Sequence, residues 1–135
     1  MNKAVLLLLV MVLTGCELII IGNERKPKPI DVNQKSAIGA VLLFKLELDS
    51  NNIPAATGIL ASPQGRRFLA IEKYELYDEV ARLGRKIANR NVTSLKTDTL
   101  SGSTYNIVLE LNYSKSLSFT TSKINDNWYI VAYRE

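Results

Sequence analysis

The chain has no histidine and a single cysteine, Cys16, among its 135 residues. Without histidine it cannot build a Ser-His-Asp or Cys-His catalytic group, nor a zinc site from cysteine and histidine. A single cysteine also excludes a disulfide framework within the chain. We therefore predict a protein that is not an enzyme, with no catalytic residues, no metal site and no cofactor.

Neither positive nor negative side chains are in large excess. The sequence has 17 lysine and arginine residues against 13 aspartate and glutamate residues, a formal net charge of +4. Binding to nucleic acid requires a dense basic patch that contacts the phosphate backbone. We therefore expect no nucleic-acid partner.

The sequence also lacks an apolar run long enough to cross a membrane. The longest run, residues 4–13, has ten residues, whereas a membrane-spanning helix needs about 20. Ten residues after a positive charge, here Lys3, fit the apolar core of a secretory signal, which has about 7–15 residues. A longer helix reaching Ile21 would bury Glu17, and an acidic side chain in the hydrocarbon costs about 2.5–3.5 kcal/mol. We therefore predict a cleaved signal peptide.

The step that ends this run, Leu13-Thr14-Gly15-Cys16, resembles the lipobox of bacterial lipoproteins. In that family the cysteine sulfur is diacylated, the preceding peptide is removed, and the new amine is acylated. The resemblance implies a signal peptide at residues 1–15 and lipidation of Cys16. It also implies a membrane partner, because two or more acyl chains anchor a protein stably whereas a single chain does so marginally.

The residue after the cysteine bears on the address within the bacterial cell envelope. In the lipoprotein family of bacteria with two membranes, aspartate at this place favours retention in the inner membrane. Glu17 stands there in this chain. We therefore expect a protein anchored to the outer membrane and facing the periplasm.

Residues 16–35 form the lipidated cysteine and a tether. Residues 23–29 are polar and contain prolines, which stiffen the chain, so we expect a semi-extended, solvated spacer. The alternative is that Arg25, Lys26 and Lys28 contact anionic lipid headgroups, at about 1 kcal/mol each near a charged surface.

Three helices are predicted after the tether. Residues 37–50 are ambiguous: the alternation of apolar residues after Phe44 argues for a strand, but the Ala, Leu, Lys and Glu content favours a helix, which we predict. Residues 53–61 form a short helix that accepts Pro54 in its first turn. A longer helix is predicted over residues 66–90, from an apolar stripe of 3.6-residue period that comprises Leu69, Leu76, Val80, Leu83 and Ile87.

After Asn91 the apolar period changes from 3.6 to two. Four strands are predicted, the first at residues 92–99 and the others around Tyr105, Leu117 and Trp128. Consecutive strands joined by short turns predict an antiparallel meander. Helices followed by strands indicate an α+β domain over residues 36–135, with the N-terminal helices packed on one face of the four-stranded sheet.

This order of elements, closing on Asn125-Asp126-Asn127-Trp128-Tyr129-Ile130, resembles the small cystatin-like, nuclear-transport-factor-two-like lipoproteins. Those proteins commonly end on an Asp-Gly, Trp and Lys-Ile motif. Here Asn replaces the usual glycine, and Tyr129 stands where a basic residue is usual. The resemblance implies a curved sheet wrapped around a long helix, which forms a cone with an apolar mouth.

Some members of that superfamily are enzymes with an Asp, His or Tyr in the cone. The groups available for such a role in this chain are Asp49, Asp78, Glu79, Tyr74, Tyr105 and Tyr113. A catalytic carboxylate needs a desolvated pocket and a partner positioned beside it. Nothing in the sequence pairs any two of these groups, which agrees with a non-catalytic protein.

Two function hypotheses follow. The first is an interaction module that docks an envelope protein or a second copy through Tyr129, Val131 and Tyr133, which alternate with inward-facing residues on the last strand. The alternative is a carrier or sensor of a small apolar ligand in the cone. Its lining residues would be Tyr105, Leu109, Phe119 and Trp128, which otherwise simply fill the core.

Overall fold

The structure is a computed structural model that describes residues 28–135. Its helices are α1 (Ala37–Asp49), α2 (Ile53–Gly58), α3 (Ala70–Glu75) and α4 (Tyr77–Ile87), and its strands are β1 (Val92–Ser101), β2 (Thr104–Leu111), β3 (Lys115–Ile124) and β4 (Asn127–Arg134). The strands form one antiparallel sheet in the order β1-β2-β3-β4. The predicted α+β architecture, with helices before a four-stranded antiparallel meander, is confirmed. The predicted signal peptide, Cys16 and the first part of the tether lie outside the described residues.

The ambiguous stretch before residue 50 is helical. Helix α1 begins at Ser36, whose hydroxyl accepts the Gly39 N–H at 2.9 Å and so satisfies one free donor of the first turn. Phe44 and Leu48 are buried at helical spacing, whereas Leu46 between them is 51% exposed. The alternation of apolar residues at positions 44, 46 and 48 therefore does not indicate a strand. Helix α1 lies between the sheet, through β2, β3 and β4, and helices α2 and α4.

The predicted long helix over residues 66–90 is wrong at its start and is broken near its middle. Helix α3 begins at Ala70, because the Glu72 carboxylate accepts the Leu69 N–H at 2.7 Å and caps the first turn. Helices α3 and α4 are separated at Leu76, whose N–H donates to the Lys73 carbonyl at 3.1 Å in a tighter turn. Of the predicted stripe, Val80, Leu83 and Ile87 are buried, whereas Leu69 is 64% exposed.

The interior of the domain is built from one face of the sheet and from α1. Ile107, Leu109, Leu111, Leu117 and Phe119 alternate along β2 and β3 and are buried. Strand β1 is mostly exposed. Strands β2 and β3 are joined by residues 112–114, of which Asn112 and Tyr113 have φ of 50° and 58°. Within residues 28–135, no helix has the length and apolar character that crossing a bilayer requires.

The packed domain begins before Ser36. The backbone N–H of Trp128 donates to the backbone carbonyl of Gln34 at 2.8 Å, and the side-chain amide of Gln34 donates to the backbone carbonyl of Trp128 at 2.9 Å. The carbonyls of Asp31 and Asn33 pass so close to Gly39 that a Cβ there would clash with both. The last residues of the predicted tether, from 31 to 35, are therefore part of the folded domain.

Candidate functional site

The segment that follows α2 lies along the outer edge of β4. Ile130 donates its N–H to the Ile59 carbonyl at 3.0 Å, and Ala61 donates its N–H to the Ile130 carbonyl at 2.9 Å. These bonds form a parallel bridge between Leu60 and Ile130, which explains why α2 ends at Gly58 and not at the predicted residue 61. Beyond Ile130, no backbone group of the described residues forms a hydrogen bond with this outer edge of β4.

A tight turn then reverses the chain. Gly65 donates its N–H to the Ser62 carbonyl at 2.9 Å and has φ of 79°, a conformation that costs glycine little. The returning chain places the Arg67 guanidinium 5.8 Å from the centroid of the Tyr129 ring, within the range of a cation–π contact. Tyr129 is consequently buried, with 4% of its surface exposed.

A groove of about 250 Å³ opens between this segment, the start of α4 and the second half of β4. The β4-edge groove, as we call it, is lined by Leu60, Ala61, Phe68, Leu76, Glu79, Ile130, Val131, Ala132 and Tyr133. Among the described residues, Glu79 is the only charged side chain in this lining. The groove is therefore an apolar channel beside a strand edge, with a single carboxylate.

A β-bulge shapes the β4 side of the groove. The register against β3 shifts between Ile130 and Ala132, so that Val131 is the extra residue. A bulge bends its strand and redirects the side chains that follow. Here it brings Tyr133 opposite Phe119, with the ring centroids 6.4 Å apart.

Tyr133 and Glu79 form the polar contact of the groove. The Tyr133 hydroxyl donates a hydrogen bond to Oε1 of Glu79. Burial, and then this bond to a carboxylate, raise the pKa of Tyr133 above its usual value. The hydroxyl is protonated at neutral pH, as a tyrosine of ordinary pKa already is, and it acts as the donor. A carboxylate has about four lone-pair sites, so Glu79 can also accept from a molecule in the groove.

The three residues predicted for an interface do not share one face. Tyr129 is buried beneath Arg67, whereas Val131 and Tyr133 line the β4-edge groove. The bulge is the physical reason, because an extra residue reverses the inside-outside alternation of a strand. The prediction of a common face is therefore wrong, although two of the three residues lie at the same site.

The four residues predicted to line a cone pocket are divided between core and surface. Leu109 and Phe119 are each 1% exposed and fill the interior. Tyr105 and Trp128 meet edge to face, with ring centroids 5.1 Å apart. Together with Ile38 they line a cleft of about 270 Å³ at the N-terminal end of α1.

The other groups considered for catalysis lie apart from both clefts. The Asp49 carboxylate accepts one hydrogen bond from the ammonium of buried Lys45 at 2.7 Å and another from the Asn89 N–H at 2.7 Å. The second bond joins the end of α1 to the end of α4. Tyr74 and Tyr113 are 69% and 83% exposed. Within residues 28–135, no group of three or more histidine, cysteine, aspartate or glutamate side chains is placed to hold a metal ion.

The β4-edge groove is not predictable from the sequence. Glu79 and Tyr133 are 54 residues apart and neither lies in a motif. The stretch Ser62-Pro63-Gln64-Gly65 predicts the end of the short helix, but not the strand edge beside it. No protein-family model matches the chain, and no curated protein matches it.

Proposed function

We propose that this protein is a lipoprotein of the bacterial cell envelope, held at the outer membrane by acyl chains on Cys16 and facing the periplasm. The short apolar run at residues 4–13 and the lipobox-like Leu13-Thr14-Gly15-Cys16 support the anchor. The order of helices and strands supports a cystatin-like domain over residues 36–135, for which the resemblance implies a curved sheet wrapped around a long helix as a cone; residues 31–35 pack against this domain.

The anchor is tested by metabolic labelling with a fatty acid, followed by fractionation of the membranes. We expect Cys16→Ser to abolish labelling and to leave the precursor in the inner membrane or release the domain. Glu17→Asp is the matched variant: it keeps the label and, by the family resemblance, moves the protein to the inner membrane. Unchanged outer-membrane fractionation of Cys16→Ser contradicts the anchor.

The domain acts, in this proposal, as a non-catalytic interaction module whose binding site is the β4-edge groove. The observation that carries the proposal is the position of the groove beside β4, beyond the bridge that ends at Ile130. An exposed strand edge offers backbone donors and acceptors to an added strand, and adjoining pockets select its side chains. The fitting occupant is an extended segment of an envelope protein.

The chemistry of the groove indicates which side chains that segment carries. Phe68, Leu76 and Val131 offer apolar contacts, and Glu79 offers a carboxylate. We therefore expect a large apolar side chain with a hydrogen-bond donor or a positive charge nearby. The groove volume of about 250 Å³ accommodates a single large side chain, and the strand edge beside it favours a peptide as the occupant.

Site-specific photo-crosslinking in living cells tests this site. A photoreactive residue at exposed Ala132 is expected to give a crosslinked product that disappears when Val131→Lys blocks the groove. The same product persists with Ser116→Lys, which places the same charge at an exposed position of β3. A product of twice the chain mass identifies a second copy as the partner. A product insensitive to Val131→Lys contradicts the groove as the binding site.

The second candidate function is a carrier or sensor of a small apolar ligand. The cleft beside Tyr105, Trp128 and Ile38 favours it, because two aromatic rings and an aliphatic side chain meet there. Native mass spectrometry of the full chain distinguishes the two functions. The interaction module predicts the sequence mass plus acyl groups, whereas a carrier shows an additional bound mass that Trp128→Ala removes.

A further inference from the structure

Three parts of the domain meet at one end of the sheet. They are residues 28–36, the β1–β2 turn with its flanking strand residues at 100–104, and the β3–β4 turn with its flanking strand residues at 123–127. The two turns are joined by the Lys123 N–H, which donates to the Ser103 carbonyl at 3.0 Å. We call this surface the tether end, because the chain leaves the described domain there towards Cys16.

The direction in which the chain leaves is fixed by hydrogen bonds. Gln34 exchanges two bonds with the backbone of Trp128, at 2.8 and 2.9 Å. The Lys35 ammonium donates to Oδ1 of Asn127 at 3.0 Å. Residues 31–35 therefore hold the start of the described chain against the β3–β4 turn.

The tether end exposes apolar side chains. Ile30 is 50% exposed, Val32 is 45% exposed, and Leu100 near the end of β1 is 60% exposed. A cleft of about 440 Å³ lies beside Ile30, and both Lys28 and Lys35 line it. Aliphatic side chains rimmed by lysine are typical of surfaces that lie at a lipid–water interface.

The charge of the tether end favours an anionic surface. Its charged residues are Lys28, Lys35 and Lys123 against Asp31 and Asp126. Basic groups of this kind are attracted to membranes that contain anionic lipids.

The length of the tether keeps this end close to the membrane. Eleven residues lie between Cys16 and Lys28, and the twelve Cα–Cα steps that join the two reach about 40 Å at full extension. Tethering makes contact with the membrane an intramolecular event at high effective concentration, so weak individual contacts suffice.

We propose that the tether end lies against the lipid headgroups of the membrane that anchors Cys16, with Ile30, Val32 and Leu100 at the interface. This inference rests on the proposed lipid anchor. Strand β4 runs from Asn127 at the tether end towards Arg134 at the opposite end of the sheet. The second half of β4, and with it the β4-edge groove, therefore points away from the membrane and stays open to a partner.

Fluorescence quenching by lipids tests the orientation in the lipidated full chain. Leu100→Cys places a thiol near the end of β1 at the tether end, and the matched Ser114→Cys places one in the β2–β3 turn at the opposite end of the sheet. Acylation blocks the native Cys16. Each thiol carries an environment-sensitive fluorophore, and the protein is reconstituted in phosphatidylethanolamine–phosphatidylglycerol vesicles that contain nitroxide-labelled lipid. Val32→Cys is a second site at the tether end, in case Leu100→Cys does not fold.

We expect loss of fluorescence at position 100 or 32 and none at position 114. Equal quenching at both ends, or stronger quenching at position 114, overturns the orientation while leaving the anchor in place. The intact mass of the same samples is measured first. A chain without acyl mass overturns the anchor and, with it, the orientation, so the two failures are distinguishable.

Discussion

Replacing Gly39 with alanine is expected to loosen residues 31–35 from the start of α1. A Cβ at this position would lie closer than 3.0 Å to the carbonyl oxygens of Asp31 and Asn33 and to the Ser36 hydroxyl. Backbone oxygens cannot rotate away as the end of a flexible side chain can. The segment must therefore move, and the bonds between Gln34 and the β4 backbone are strained or lost.

The expected size of the effect follows from the bonds at risk. The two bonds of Gln34 to Trp128 contribute about 0.5–1.5 kcal/mol each, and the Ser36 cap contributes about 1 kcal/mol. Alanine regains about 1 kcal/mol of helix propensity over glycine. We therefore expect Gly39→Ala to lower the free energy of unfolding by about 2 kcal/mol.

Gly84→Ala is the matched control, because it makes the same substitution in α4. A Cβ there would meet Cδ2 of Leu48 at 3.4 Å, an ordinary contact. This variant is expected to gain about 1 kcal/mol, so the two variants differ by about 3 kcal/mol. Urea unfolding of the mature chain carrying Cys16→Ser measures both. A Gly39→Ala variant as stable as the unsubstituted chain would refute the docking of residues 31–35.

Three further predictions concern single side chains. Tyr113→Gly is expected to stabilise the domain by about 0.5–1 kcal/mol in urea unfolding. The φ of 58° at this position costs a non-glycine residue about 1–2 kcal/mol, and the greater entropy of glycine in the unfolded chain offsets part of that gain. The control Tyr113→Ala keeps the cost of the positive φ and is expected to change the stability little. Tyr133→Phe removes the hydrogen bond to Glu79 and is expected to lower the free energy of unfolding by about 1 kcal/mol. An unchanged free energy of unfolding would mean that the Tyr133–Glu79 bond does not hold α4 to β4. The hydrogen bond from Arg66, and then the Leu69 N–H, lower the pKa of Glu72 from 4.5 to about 2. Its stabilising contribution is therefore complete above pH of about 5 and is lost as the pH falls from there through about 2. An NMR titration of Glu72 is expected to give a midpoint near 2 that rises in Arg66→Gln, and an unchanged midpoint would contradict the assigned cause.

The sheet and the fold class were predictable because their signals are local. Alternation of apolar residues along β2 and β3 predicts which face is buried, and the short turns between strands predict antiparallel neighbours. Helix α1 was ambiguous, because it is buried on several sides and its apolar residues do not form a single stripe. Composition favours a helix, and the burial of Phe44 and Leu48 with Leu46 exposed between them confirms it.

The site was less predictable because it depends on contacts between distant residues. The bulge at Val131 has no signature in the sequence, yet it separates Tyr129 from Tyr133. The bridge of residues 59–61 to β4 replaces the last turn of a predicted helix, since β4 offers those residues other backbone partners. Strand alternation and helix propensity describe neighbours in the chain, and neither reports such a tertiary contact.

The central claim is that the chain is anchored by lipid at Cys16. The most direct test is to purify the protein from the membranes of a bacterium that expresses it and to measure its intact mass. We expect a chain that begins at Cys16 and carries acyl groups on the sulfur and on the new amine. A chain that retains residues 1–15, or one with an unmodified thiol at Cys16, would contradict the account.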